Sequence, residues 1–169
     1  MIGWRELHRA AVHERTLRGD ETDRRRAVSA LYYALFHRLC SLGAGVFAPG
    51  GTELQAKVKR GFNHGPMLNV CKHYLLASKN GRFGPELAWQ GAVGPGPELA
   101  AVASAFIQLQ QGRHLADYDL EAELSSVEHL RLLFIAEHAH WQLDEIERSE
   151  ELVIFVSALL LHDKWARRG

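Results

Sequence analysis

The chain reads as an all-α protein, an up-and-down bundle of five to six helices in a single domain over residues 1–169. Three observations predict this. Apolar residues recur at spacings of three and four along most of the chain, and no run of β-branched residues alternates in polarity as a half-buried strand would. Hydrophobic residues make up 47% of the 169 positions and charged residues 24%, enough to bury a continuous core.

The elements follow in order. A first helix is predicted over residues 4–18, stopping at Gly19-Asp20, where Asp20 or Thr22 can cap its successor. The second helix is the clearest, because Val28, Leu31, Tyr32, Leu35, Phe36 and Leu39 fall on one stripe that must face the core. Residues 44–52, rich in glycine, end it and lead to a third helical piece from about Thr52 that breaks around residues 61–66. Residues 78–96 form a polar, Gly/Pro-rich excursion too long for a tight bundle turn, and Trp89 within it predicts partial packing. Pro97 suits the first position of a helix carrying Leu99, Val102, Ala103, Phe106 and Leu109, with Gly112 as its end. After a short RHLADYD segment, in which Asp117 or Asp119 can cap the next element, Leu124, Val127, Leu130, Phe134, His138 and Trp141 mark the apolar face of another long helix. The terminal stretch beyond Ser149, either a continuation of that helix or a separate element, carries Leu152, Val156, Leu159 and Leu160 and is followed by a solvated KWARRG tail.

Several function classes find no support. No stretch approaches eighteen consecutive apolar residues, and MIGWRELHRAAVHER lacks the apolar core of a signal peptide, so a cytoplasmic protein with no membrane association is expected. Cys40 and Cys71 are then expected as reduced, buried thiols. The glycines at Gly43-Ala44-Gly45 and Gly94-Pro95-Gly96 follow no strand and lack a Lys-Ser/Thr ending, which argues against nucleotide hydrolysis. Acyl transfer lacks a Gly-x-Ser-x-Gly elbow. Ten histidines invite a metal reading, but His138 with His140, and Cys71 with His73, are two residues apart and diverge on a helix. Glu137, His140 and Asp144 share a face but find no partner motif on a second helix, so neither a metal nor a cofactor is expected.

Formal net charge is zero, yet it is unevenly placed. Residues 1–82 carry 14 Lys and Arg against 6 Asp and Glu, and residues 83–169 carry 6 against 14, so the halves stand at +8 and −8. Seven arginines lie between Arg5 and Arg26. Either the first half supplies a basic surface for phosphates, or basic and acidic helices lie side by side and neutralise each other, within the bundle or across a dimer interface.

Two clusters gather chemistry-bearing residues. On the second helix Arg26, Tyr33 and His37 form one stripe at spacings of seven and four, able to hold a phosphate or line a cleft; as a structural alternative, Tyr33 and His37 are boundary residues that pack their rings and wet their tips. In the segment after Gly112, Arg113, His114, Asp117 and Tyr118 lie together, either as a binding or catalytic cluster or as a buried Arg-Asp pair that fixes a helix junction.

With AVSALYYALFH in the second helix and RHLADYD further on, the chain resembles small prokaryotic members of the HEPN family over roughly residues 20–150. The resemblance implies a helical bundle that commonly dimerises, often in toxin-antitoxin or defence settings beside a nucleotidyltransferase partner. Catalytic members are metal-independent endoribonucleases that use an Arg followed, after four to six residues, by a His. Here Tyr118, Asp119 and Leu120 occupy those offsets from Arg113; Arg131 with His138 is the literal match, within a predicted helix. For RNA cleavage, Arg113 would face the phosphorane charge, His114 or His37 would move the proton, and Tyr118 would orient the phosphate. The alternatives are a non-catalytic HEPN module that binds RNA, nucleotide or a partner protein, and an unrelated helical interaction domain.

Overall fold

Asp20 opens the second helix as the sequence predicts, its Oδ1 accepting the Asp23 N–H at 3.0 Å. The computed structural model describes residues 3–16, 20–91 and 93–166, and among them it shows seven α-helices, one 3₁₀ turn and no strand. The helices are α1 (Trp4–Thr16), α2 (Glu21–Phe47), α3 (Thr52–Lys59), α4 (His64–Asn80), α5 (Pro97–Tyr118), α6 (Ser126–Glu145) and α7 (Glu150–Ala166); the 3₁₀ turn is Pro85–Gln90. The chain is all-α, with more helices than the five to six expected because the third segment is two helices. Between these, a Cβ on Gly61 would stand 2.9 Å from Leu160 Cδ1. The predicted end of the first helix at residues 18–19 lies outside the described residues, as do residues 167–169 of the KWARRG tail, whose first three residues instead continue α7 to Ala166.

The helices gather into two compact units, one of residues up to Arg38 with Ala105–Trp141, the other of Leu39–Ser104 with residues from Gln142 onward. Each boundary falls inside a helix rather than in a linker.

In the first unit Val28, Leu31, Tyr32 and Leu35 of α2 are fully buried, as are Phe106 and Leu109 of α5. The two helices run in opposite directions, since Tyr32 meets Phe106 (5.5 Å between ring centroids) while Arg25 reaches the Ala116 carbonyl (3.2 Å). Gly112 does not end α5, contrary to the sequence expectation. A Cβ there would lie 2.6 Å from Leu132 Cδ1 and 3.2 Å from Val28 Cγ1, so the glycine lets α5 approach α2 and α6 closely and the helix continues to Tyr118.

The face of α6 is also corrected. Val127, Leu130, Phe134 and Trp141 are exposed, Phe134 at 63% and Trp141 at 55%, and His138 is exposed with them. The buried face carries Leu132, Leu133, Ala136 and Ala139 with His129 and His140. The sequence offers two apolar stripes on this helix, and the one with small residues packs inward because it permits close approach. Ser125, not Asp117 or Asp119, caps α6: its Oγ accepts the Glu128 N–H at 3.1 Å.

A polar cluster is buried in the same unit. Arg38, 3% exposed, donates to the His140 carbonyl at 2.6 Å and lies 3.2 Å from His140 Nδ1. Its guanidinium stands 4.7 Å from the Trp4 ring centroid, and His140 stacks on the other partner of this pair, with 4.9 Å between the His140 and Trp4 centroids. His8 meets His140 edge-on at 4.8 Å. Burial, then His8, then Arg38 push the His140 pKa down to about 3. Burial first, with Arg38, also lowers that of His8 against the opposing pull of Glu137.

In the second unit α4 packs on α7 through Tyr74 and Phe155, whose centroids are 4.6 Å apart. Cys40 and Cys71 are buried free thiols; burial raises both pKa values, that of Cys40 to about 12. Gly81, with φ 70°, ends α4, and the chain loops out and back until the Gly94 N–H donates to the Gly81 carbonyl at 2.9 Å. Leu87, 1% exposed, anchors this excursion in the core, and Trp89, 49% exposed, packs in part as the sequence predicts.

Two outcomes test this packing. Gly112→Val is expected to lower stability by about 1–3 kcal/mol in chemical denaturation, because its methyls meet a filled contact. Gly112→Ala should cost less, since alanine's helix propensity returns up to about 1 kcal/mol. For His140 the folded pKa lies below the ordinary 6.5, so the unfolded chain takes up a proton that the folded chain refuses as pH falls below 6.5. Stability should therefore fall from pH 6.5 toward pH 5, by up to about 1.4 kcal/mol per pH unit, before carboxylates titrate. The slope should be shallower in His140→Gln, and an equal slope in the variant would reject the assignment.

Candidate functional site

The RHLADYD segment, expected as a connection between helices, forms the last turns of α5. Its helical form is what gathers the side chains: Arg113 and Asp117, four apart, share a face, and Arg113 Nε donates to Asp117 Oδ2 at 2.8 Å. Arg113 Nη2 also donates to the Tyr118 hydroxyl at 3.2 Å. Across from these on α2, the Ser29 hydroxyl makes a short hydrogen bond to Asp117 Oδ1. The carboxylate thus bridges a hydroxyl and a guanidinium.

Three phenol rings surround the Arg113 guanidinium. Its central carbon lies 5.1 Å from the Tyr33 centroid, 5.6 Å from that of Tyr32 and 5.7 Å from that of Tyr118. Arg113 has only 14% of its side chain exposed, whereas Tyr118 is 67% exposed. Burial works against the charge of Arg113, but the bond to Asp117 and the fields of Tyr33, Tyr118 and Asp117 outweigh it and raise the pKa above the ordinary value. The guanidinium is a permanent cation held in one orientation.

The structure therefore brings together four of the residues singled out in the sequence, Arg113, Asp117, Tyr118 and Tyr33. The two imidazoles stand one step out: the His114 ring is 5.4 Å from that of Tyr118, and the His37 ring is stacked 6.2 Å from that of Tyr33. Arg26 is not part of the cluster. Its side chain is 70% exposed and sits 4.0 Å from Asp23, on the stripe of α2 that also carries Ser29 and Tyr33. A surface depression beside the cluster is lined by His114, Leu115, Tyr118 and Asp119. Arg131, from the literal Arg and His pair, is tied to both Glu128 oxygens at 2.7 and 2.8 Å and to Gln108.

Three participants were missed. Ser29 stands three residues after Arg26 and four before Tyr33, so the stripe itself signalled it. Tyr32 was read only as core, yet its buried ring also faces Arg113. Arg25 has a local partner in Glu21, four residues before it, but nothing in the sequence signalled its distant ones. Its guanidinium donates to the carbonyls of Leu115 (3.1 Å), Ala116 (3.2 Å) and Asp119 (2.8 Å), and makes a short bond to that of Ala122. Asp119 closes the turn that follows, accepting the N–H groups of Glu121 and Ala122 at 3.2 and 3.0 Å.

Among the described residues no group of three or more His, Cys, Asp or Glu side chains is placed to hold a metal ion, and no helix is long and apolar enough to cross a membrane. No family model, curated protein or solved structure matches the chain.

Proposed function

We propose that this chain is a HEPN-like module that binds RNA on the face built from α2 and the end of α5. The observation that supports this is the Arg113 guanidinium, fixed by Asp117 and set among Tyr32, Tyr33 and Tyr118. A planar cation can meet a phosphate oxygen through N–H groups outside the Asp117 and Tyr118 bonds, and the exposed Tyr118 ring offers a surface on which a base can stack. Arg26 and His37 extend the same face along α2 with exposed polar groups. A narrow phosphate-and-stacking site suits single-stranded RNA better than a duplex, whose stacked bases offer no free ring faces.

A second reading, a metal-independent endoribonuclease of toxin-like type, is favoured by the two imidazoles that flank the cluster. One would take the proton of a 2′-hydroxyl whose oxygen attacks the adjacent phosphorus, while the other gives a proton to the departing 5′-oxygen. Binding without cleavage is the simpler fit, because Arg113 is already engaged by the Asp117 carboxylate and the Tyr118 hydroxyl. Self-association is proposed through α6, whose exposed Val127, Leu130, Phe134 and Trp141 recur on one face of the helix, a pattern of the kind that marks interfaces. A nucleotidyltransferase partner remains a proposal that rests on the HEPN resemblance alone.

Two experiments test these readings. Titration of a single-stranded RNA at two salt concentrations should give salt-dependent binding. Arg113→Ala should lower affinity about tenfold and reduce the salt slope by about one, and Arg26→Ala should weaken binding less, with no change in denaturation midpoint. Wild-type affinity in both variants would reject the site, and RNA fragments produced in excess chelator by the wild type but not by Arg113→Ala would establish the nuclease reading. Sedimentation should show a dimer that Phe134→Glu dissociates; a monomeric wild type would remove the interface.

A further inference from the structure

The second unit contains a cavity of about 330 Å³ that is separate from the Arg113 cluster. The looped excursion after α4 creates it. Gly94 sits so close to α4 that a Cβ there would lie 2.7 Å from the Ala77 carbonyl oxygen, and its N–H returns to Gly81, so the loop is tied at its neck. The Tyr74 hydroxyl makes a short hydrogen bond to Gln90 Oε1, which holds the far side of the loop. The hollow is lined by Gln90 and Gly94 from the loop and by Glu151 and Ile154 from α7.

Its lining is aromatic and aliphatic, with one charge. Tyr74 and Phe83 meet edge-to-face at 5.0 Å and 68°, Leu99 and Ile154 complete the apolar wall, and Glu151 supplies a carboxylate. No Lys or Arg is among the described lining residues. A second carboxylate lies close by: a Cβ at Gly96 would stand 3.1 Å from Oε2 of both Glu151 and Glu98. Both acids occupy first turns of helices, Glu98 in α5 and Glu151 in α7. An apolar hollow of this size with negative charge at one side repels anions and suits a cation that carries its own apolar body.

We infer that the second unit binds a small aromatic or alkyl ammonium ion, its apolar body on Tyr74, Phe83, Leu99 and Ile154 and its charge at Glu151. Glu98 reinforces the same sign of field as Glu151. Because Glu151 is exposed, replacing it leaves the packing of α7 intact.

The test is a titration of the full chain, labelled at isoleucine methyls, with 2-phenylethylammonium and with phenylacetate. The expected result is a saturable shift of the Ile154 methyl, assigned through Ile154→Leu, with the ammonium ion and none with the carboxylate. Glu151→Gln should weaken binding about tenfold and Glu98→Gln less, with the remaining methyl signals unchanged. Absence of a saturable shift up to about 10 mM, equal affinity for phenylacetate, or wild-type affinity in Glu151→Gln would each overturn the proposal.

Discussion

The guanidinium of Arg25 holds the end of α5 in place, and the grouping around Arg113 depends on it. The last carbonyls of any α-helix lack partners within the helix, and leaving them unpaired beside a packed core is costly. Arg25 answers those of Leu115, Ala116 and Asp119, continues to Ala122, and is itself oriented by Glu21, whose Oε1 accepts from Arg25 Nε at 2.9 Å. Arg24 donates to the Leu124 carbonyl at 2.8 Å, and Glu21 accepts the Leu124 N–H at 3.3 Å. One turn of α2 thus fastens both the end of a helix and the connection that follows it.

That fastening sets the direction in which the motif side chains point. With the α5 terminus fixed against α2 and Gly112 allowing close approach, Asp117 comes within reach of Ser29, and Arg113 is drawn under the rings of Tyr32 and Tyr33. The same contacts make Arg113 partly structural, which is why a binding experiment needs Arg26 as an independent probe of the surface. A site assembled in this way has its cation preorganised, so a ligand need not order a long, flexible side chain when it binds.

Local pattern was enough to reveal most helices and the core faces of α2 and α5, because each has one dominant apolar stripe. It failed on α6, where a stripe of large apolar side chains competes with one of leucine, alanine and histidine, and only the neighbours' demand for close approach decides between them. It failed at Gly112 because a glycine that ends a helix and one that lets two helices touch look alike in a single sequence. The Arg113, Asp117 and Tyr118 grouping was legible from spacing, whereas its junction with Tyr33 required the antiparallel docking of α5 on α2. Arg25 was illegible in principle, since its partners are backbone carbonyls about 90 residues away and carry no side-chain signature.

The opposed charges of the two halves of the sequence have a partial explanation in these contacts. Arg24, Arg25 and Arg38 are first-half cations that bond to carbonyls contributed by the second half, those of Leu124, of the α5 terminus and of His140. Acidic residues of the second half sit in the first turns of α5, α6 and α7, at Glu98, Glu128, Glu150 and Glu151, where helix N-termini favour them. Three of the 14 first-half cations are thereby engaged by backbone carbonyls. Under the proposed RNA-binding reading, recognition would rest on geometry and stacking around Arg113 more than on a long-range positive field.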